Sequence, residues 1–130
     1  MADVAIERFM PGHAEAVSAL CIAEGLERWD DPQRVARALT APGVTTLVAI
    51  KDNLVVGAIQ VLADGDINWI IGTLVVAASE RGQGIGITLV SEAFGRTKAK
   101  RLDLLTEDEG PHFYERLPGR PMVGFRLFPS

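Results

Sequence analysis

Residues 74–90 constrain this chain more than any other stretch. Leu74-Val75-Val76 ends an apolar, β-branched run, and Ala77-Ala78-Ser79-Glu80-Arg81 turns polar. Gly82, Gly84 and Gly86 then alternate with Gln83 and Ile85, and Ile87-Thr88-Leu89-Val90 begins a helical pattern. A strand, a glycine turn and a helix start follow from that order. Glycine takes positive φ without steric penalty and lets the backbone approach a ligand closely. The first turn of a helix carries N–H groups with no intrahelical acceptor, and the peptide dipoles behind them favour an anion. Each glycine gives up about 1 kcal/mol of helix propensity relative to alanine. Concentrating three of them just ahead of an amphipathic helix reads as a pyrophosphate cradle, with a ligand-free tight turn as the plainer alternative.

Spacing separates the known phosphate loops. The dinucleotide fingerprint G-x-G-x-x-G needs glycine where this chain has Ile87. The P-loop needs G-K-[ST] after its four-residue gap, and no such run exists. What remains, Arg81-Gly82-Gln83-Gly84-Ile85-Gly86, reads R-x-x-G-x-G and resembles the signature of the GCN5-related N-acetyltransferase (GNAT) superfamily. The resemblance implies that the loop from Arg81 through Gly82, Gln83, Gly84, Ile85 and Gly86 to Ile87 holds the pyrophosphate of coenzyme A. It also implies that Leu74, Val75 and Val76 run beside the pantetheine arm, their backbone groups pairing with its amides as an added strand would. Arg81 has two readings of equal weight, a phosphate contact and a solvated side chain.

Size and composition set outer bounds. With 130 residues the chain is one domain, residues 1–130, long enough to bury a core without staples. No apolar run approaches 18 residues, so no membrane span is expected. Met1-Ala2-Asp3-Val4 lacks the basic and apolar regions of a signal peptide, which makes the cytoplasm the expected compartment. Cys21 is the only cysteine, so no intramolecular disulfide can form, and its apolar helical neighbours read as core. One cysteine and two histidines, His13 and His112, make no convincing metal site. A net charge of −4 and a pI of about 5.1 argue against nucleic-acid binding.

The rest of the chain fills in a fold. Val4-Ala5-Ile6 with Phe9 reads as a first strand. Residues 13–26 read as a helix, with Val17, Leu20 and Cys21 on one face. Asp31 and Pro32 read as the N-cap and first residue of a second helix, which Pro42-Gly43 closes. Residues 46–50, 54–62 and 67–76 read as three successive strands, with Gly57 marking a bulge or a close approach. A helix carrying Ile87, Val90, Ala93 and Phe94 follows. Residues 102–106 then read as a buried strand, 112–117 as a short helix and 122–128 as a terminal strand. The three successive strands should be antiparallel and the β-α-β unit after them parallel. The class is α+β with a mixed sheet, in the order β-α-α-β-β-β-α-β-α-β. That is the order of the GNAT-like acyl-CoA N-acyltransferase fold, so the resemblance spans nearly the whole chain.

Acetyl transfer needs a polarised thioester carbonyl, a neutral amine and a stabilised leaving thiolate. Phe113-Tyr114-Glu115-Arg116-Leu117 is similar to the F-Y-E-K-L segment that opens the last helix in many GNAT enzymes. By that resemblance Tyr114 protonates the departing thiolate. A phenol with pKa about 10 and a thiol with pKa about 8.5 make that transfer nearly balanced. The alternative is a tyrosine that only packs. Glu107 is the first choice for a base, with Asp108, Glu109, His112, Asp103 and, through a water, Asn68 behind it. A solvated acidic loop accounts for the same carboxylates. Two departures from the family pattern touch the thiol end: Glu107 stands where many members carry Asn, and Leu117-Pro118-Gly119-Arg120 replaces Leu-Gly-Phe.

Trp29, Asp30 and Trp69 are the expected acceptor-binding residues. Glu24, Glu27, Asp30 and Asp31, with the carboxylates at 107–109, form an expected anionic mouth for a protonated amine. The reading is therefore an acetyl-CoA-dependent N-acetyltransferase whose acceptor is a small-molecule or peptide primary amine, attacking directly in a ternary complex. Acetyl-CoA is its cosubstrate, and it uses no metal. The rival is a catalytically silent acyl-CoA-binding sensor or regulatory module. A homodimer through the edge of the last strand is compatible with either.

Overall fold

The computed structural model describes residues 3–106 and 112–130. Four strands form one antiparallel sheet in the order β1-β2-β3-β4. They are β1 (Val4–Arg8), β2 (Val44–Lys51), β3 (Leu54–Ala63) and β4 (Trp69–Val76). Asp52 and Asn53, both at positive φ (52° and 63°), make the two-residue turn between β2 and β3. That twist matches the flanking strands, and Asp and Asn tolerate it better than most residues. Between β3 and β4 the Asp64 carboxylate accepts the N–H groups of Asp66, Ile67 and Asn68 and the Asn68 side-chain amide. Those bonds, the one from Asp66 foremost, hold the Asp64 carboxyl far below the usual carboxylate range. Asn68 is thereby engaged in the turn.

Strand alternation sends side chains to two helical layers. Helices α1 (Ala14–Ala23) and α2 (Pro32–Leu39) cover one face. There Val17, Leu20, Cys21, Val35 and Leu39 pack on Val48, Ala58 and Val75. Helix α3 (Ile85–Thr97) covers the other, where Ile85, Leu89, Val90 and Ala93 pack on Leu47, Ala49, Ile59, Val61 and Ile71. The expected start of α2 is observed: Asp31 accepts the Gln33 N–H at 2.9 Å and Pro32 is the first helical residue. Such a cap contributes about 1 kcal/mol. Gly57 serves close approach. A Cβ there would lie 3.2 Å from Leu89 and 3.3 Å from Ile85, so the glycine seats α3 against β3. A register shift sits beside it, since Ala49 pairs with Gly57 and Ile50 with Val55.

Cys21 is fully buried in the first cluster, and burial, with Glu24 nearby, pushes its thiol up to about 11. A raised thiol pKa means the folded state holds its proton longer than the unfolded chain. Stability from this group is therefore complete below pH 9 and falls as pH rises toward 11. Two pKa units leave about 100-fold less thiolate. Alkylation of the native protein at pH 8 by iodoacetamide should accordingly be at least about tenfold slower than in denaturant, read by mass spectrometry.

Two expected strands differ from the observed structure. Residues 102–106 form a single parallel bridge, Ile70 to Asp103, and no continuous ladder. Its direction is the parallel one expected of the β-α-β unit. Leu102 and Leu104 are half-buried while Leu105 is 58% exposed. Residues 122–128 form no strand, and Met122, Val123, Phe125, Leu127 and Phe128 are exposed. Their apolar character fits a strand, but a strand exists only where a neighbour offers hydrogen-bonding groups. The last helix, α4, is His112–Glu115, shorter than the expected 112–117.

Candidate active site

The site starts at the outer edge of β4. Ala77 N–H donates to Val56 C=O at 2.8 Å, which fixes the alternation along the strand's end. The peptide groups of Val75 then face β3, and those of Leu74 and Val76 face outward. At the other end the outer edge is occupied. Ile71 N–H donates to Asp103 C=O at 2.8 Å, and Asp103 N–H to Trp69 C=O at 3.1 Å. Between these ends Gln60 pairs with Thr73 and Val61 with Ile71, leaving Gly72 as an extra residue. A bulge of this kind bends a strand and increases its twist. It sits where β4 parts from Asp103, and among the described residues no strand pairs with the outer edge of β4 at Leu74 and Val76. That edge is a place for an extended, amide-bearing chain to add as a strand.

That edge runs into the glycine loop. Gly82 and Gly84 have φ of 81° and 83°. A Cβ on either would meet nothing within 4 Å, so conformation rather than space requires glycine at both. Gly84 caps α3, and Thr88 N–H to Gly84 C=O at 3.0 Å is the first intrahelical bond. The N–H groups of Ile85, Gly86 and Ile87 are thus without intrahelical acceptors at the positive end of a 13-residue helix. Gly86 has a different reason. A Cβ there would fall 2.8 Å from the Phe113 ring. The third glycine lets α4 dock on the start of α3. Tyr114 follows directly in sequence, half-buried, with its ring edge-on to Phe113 at 5.0 Å. The motif therefore sets the place of the helix that carries Tyr114 as well as the direction of the loop N–H groups.

Arg81 takes a third course, neither phosphate contact nor solvated side chain. Its Nη2 pairs with the Glu24 carboxylate, and its Nε donates to Val76 C=O at 3.2 Å. Glu24 also accepts the Ala78 N–H at 3.3 Å. The end of α1 thus grips the loop from one side. On the other side Lys51 pairs with Glu80 at 2.5 Å, and Gln83 donates to the same Glu80 oxygen at 3.4 Å. With Glu24 largely buried and Arg81 exposed, replacing Glu24 by alanine should lower stability by about 1 kcal/mol. It should raise the KM for acetyl-CoA several-fold, measured by thermal melting and steady-state kinetics.

The other expected residues divide. Trp29 lies on the α1–α2 face, where Ser18 Oγ donates to its carbonyl at 2.5 Å. Asp30 follows it, exposed. Trp69 packs into the opposite cluster, so the two tryptophans do not share a face. Of the expected anionic mouth, Glu24 is engaged by Arg81 and Asp31 by α2, which leaves Glu27 and Asp30 exposed in that loop. Glu107, Asp108 and Glu109 lie outside the described residues. Among the described residues, no helix is long and apolar enough to cross a membrane, and no group of three or more His, Cys, Asp or Glu could hold a metal ion.

Among the described residues, an unpaired strand edge leads into a glycine loop and a helix N-terminus, an arrangement suited to an acyl carrier with a pyrophosphate. A family model described as an acetyltransferase (GNAT) domain matches residues 42–117, and the chain belongs to that family. It is an acetyl-CoA-dependent N-acetyltransferase, with acetyl-CoA as cosubstrate. A GNAT family acetyltransferase from Streptococcus pneumoniae TIGR4 is 26% identical, with TM-score 0.78, 99% of this chain and 98% of that one being covered. Aminoglycoside N-acetyltransferase AAC(6')-Iy, solved in complex with CoA, is 14% identical with TM-score 0.80, over 100% of this chain and 96% of that one. A transcriptional regulator from Bacillus halodurans C-125 is 23% identical with TM-score 0.79, over 97% and 99%. No curated relative matches by sequence.

Proposed function

We propose that this enzyme transfers the acetyl group of acetyl-CoA to a primary amine by direct attack in a ternary complex. The observation that carries the reading is the outer edge of β4 at Leu74 and Val76, which among the described residues no strand covers, beside Gly82–Ile87. The loop N–H groups from Gly82 to Ile87 hold the pyrophosphate. The outward N–H and C=O of Leu74 and the N–H of Val76 pair with the pantetheine amides, one of these N–H groups instead polarising the acetyl carbonyl, while the Val76 C=O is held by Arg81. The neutral amine attacks that carbonyl carbon, the C–S bond breaks, and Tyr114 gives its proton to the leaving sulfur. The amine enters from the Trp29–Asp30 side, and Glu107 takes its proton.

Support for an amine acceptor comes from the family and from a neighbour that acts on aminoglycosides. The test is calorimetric titration with acetyl-CoA, with NADH as control, followed by a panel of primary amines with thiol release as readout. Micromolar binding of acetyl-CoA alone, followed by turnover with at least one amine, is the expected result. Binding without turnover on any amine would instead indicate a silent acyl-CoA sensor. No binding by folded protein would overturn the loop assignment.

A further inference from the structure

Helices α1 and α2 do not cover their whole face of the sheet. Thr46, Gln60 and Thr73 form a row across three strands, Thr46 opposite Gln60 and Gln60 opposite Thr73. Thr46 is buried, and its hydroxyl donates to Leu39 C=O at 3.0 Å. Gln60 and Thr73 are half-buried, and among the described residues neither side chain has a hydrogen-bond partner. Both line a crevice with Trp29 that is too narrow for a water molecule, so a ligand would lie over it. Beside them Leu62 and Ile70 are 40% and 47% exposed, and the Gln60 and Leu62 side chains lie over Gly72, where a Cβ would come within 2.6 Å of Gln60 Oε1 and 2.5 Å of Leu62 Cδ1. No charged side chain projects from the strands on this face between Thr46 and Ile70.

Apolar surface with two neutral hydrogen-bonding groups at its centre suits a particular ligand chemistry. Opposed side chains on neighbouring strands stand about 5 Å apart. An amide and a hydroxyl at that separation can each donate and accept, which matches hydroxyls on nearby carbons of one small molecule. A carboxylate or phosphate would find no cation on this face of these strands, since Lys51 of β2 lies on the α3 side with Val4. Thr73 also adjoins Leu74 in the chain, and lies four residues, roughly 13 Å, along β4 from Ala77, where the glycine loop begins. That is the stretch of edge where a carrier anchored at the loop would present its acyl end.

We infer that Gln60 and Thr73 form the acceptor platform, and that the acceptor is a hydroxyl-bearing primary amine of the amino-alcohol or amino-sugar class. The inference rests on the acetyl-transfer reading above. Gln60 and Thr73 hydrogen-bond the hydroxyls, Trp29 and Leu62 contact the carbon skeleton, and the amine is left toward Leu74. A site built to hydrogen-bond a hydroxyl discriminates strongly against the analogue lacking it, because its own polar groups are then left unpaired.

The test compares serinol with isopropylamine, which share a carbon skeleton and differ in two hydroxyls. For the wild-type chain we expect a kcat/KM ratio of at least about tenfold in favour of serinol, and the same order in calorimetric Kd with coenzyme A present. Gln60→Leu and Thr73→Val should each bring the ratio within about threefold of unity, with Gln60→Met and Thr73→Ala, which also remove the hydrogen-bonding group, used instead should either fail to fold. A wild-type ratio near one, or variants that keep the wild-type ratio, would overturn the platform while leaving acetyl transfer intact. If neither amine is acetylated, acetyl transfer is judged separately on the wider amine panel, and the calorimetric ratio alone decides the platform. Absence of binding by both amines overturns it.

Discussion

Replacing Gly84 with valine is expected to weaken acetyl-CoA binding by roughly ten- to a hundredfold, measured by calorimetry. Gly84 holds φ 83° at the N-cap of α3. A β-branched residue held in that region is strained by about 1–3 kcal/mol, and each 1.4 kcal/mol is about tenfold in affinity. The loop can relieve the strain only by turning Gly84 out of the left-handed region, which re-aims the N–H groups that follow. Because a Cβ at Gly84 would touch nothing, a steric clash with the fold does not confuse the result. Gly95 supplies the control. It lies within α3, has no neighbour within 4 Å of a Cβ, and does not need positive φ. Gly95→Ala should stabilise the protein by roughly 0.5–1 kcal/mol and leave affinity unchanged. If Gly84→Val binds acetyl-CoA as tightly as wild type, the loop amides do not hold the pyrophosphate.

The parts of this fold that local chemistry dictates are legible along the chain. Asp31-Pro32 announces the start of α2, Asp52-Asn53 the hairpin, and the glycines the turn into α3, because each acts within a few residues of itself. Long-range partners are not legible in this way. Arg81 has a phosphate-loop position in the motif, yet its guanidinium is held by Glu24, 57 residues away. No periodicity marks that pairing. Gly86 carries the same lesson. It sits in the motif beside two glycines that need positive φ, but its own constraint is the Phe113 ring, which arrives from a helix 27 positions later. The strand at 122–128 errs the other way. Its residues favour extended backbone, but pairing depends on a neighbour, and 102–106 joins β4 only through Asp103. Trp69 and Trp29 look equivalent as large residues near turns. Trp29 lies in the connection between α1 and α2, whereas strand alternation, which depends on register and on the bulge at Gly72, sends Trp69 to the opposite face.

Tyr114→Phe should lower kcat by roughly 10²- to 10⁴-fold, the range for loss of a positioned general acid, with the Kd for acetyl-CoA unchanged. The substitution keeps the ring that stands edge-on to Phe113, and with it the docking of α4 against Gly86, so the melting temperature should move little. The design of the readout matters, because a tyrosine that only packs would also tolerate phenylalanine. Under a packing role neither kcat nor affinity moves. Under the acid role kcat alone falls, and the loss depends on the leaving group. A thioester whose thiol has a lower pKa than coenzyme A leaves without needing the proton, so with a thiophenol ester the deficit of Tyr114→Phe should shrink by at least about tenfold. A deficit equal for both thioesters would place Tyr114 outside proton transfer, and the thiolate would then leave by protonation from solvent or by stabilisation from backbone N–H groups. A smaller deficit for the activated ester would identify the phenol as the proton source. It would also assign the third glycine of the loop a catalytic consequence, since Gly86 is what lets the helix carrying that phenol reach the start of α3.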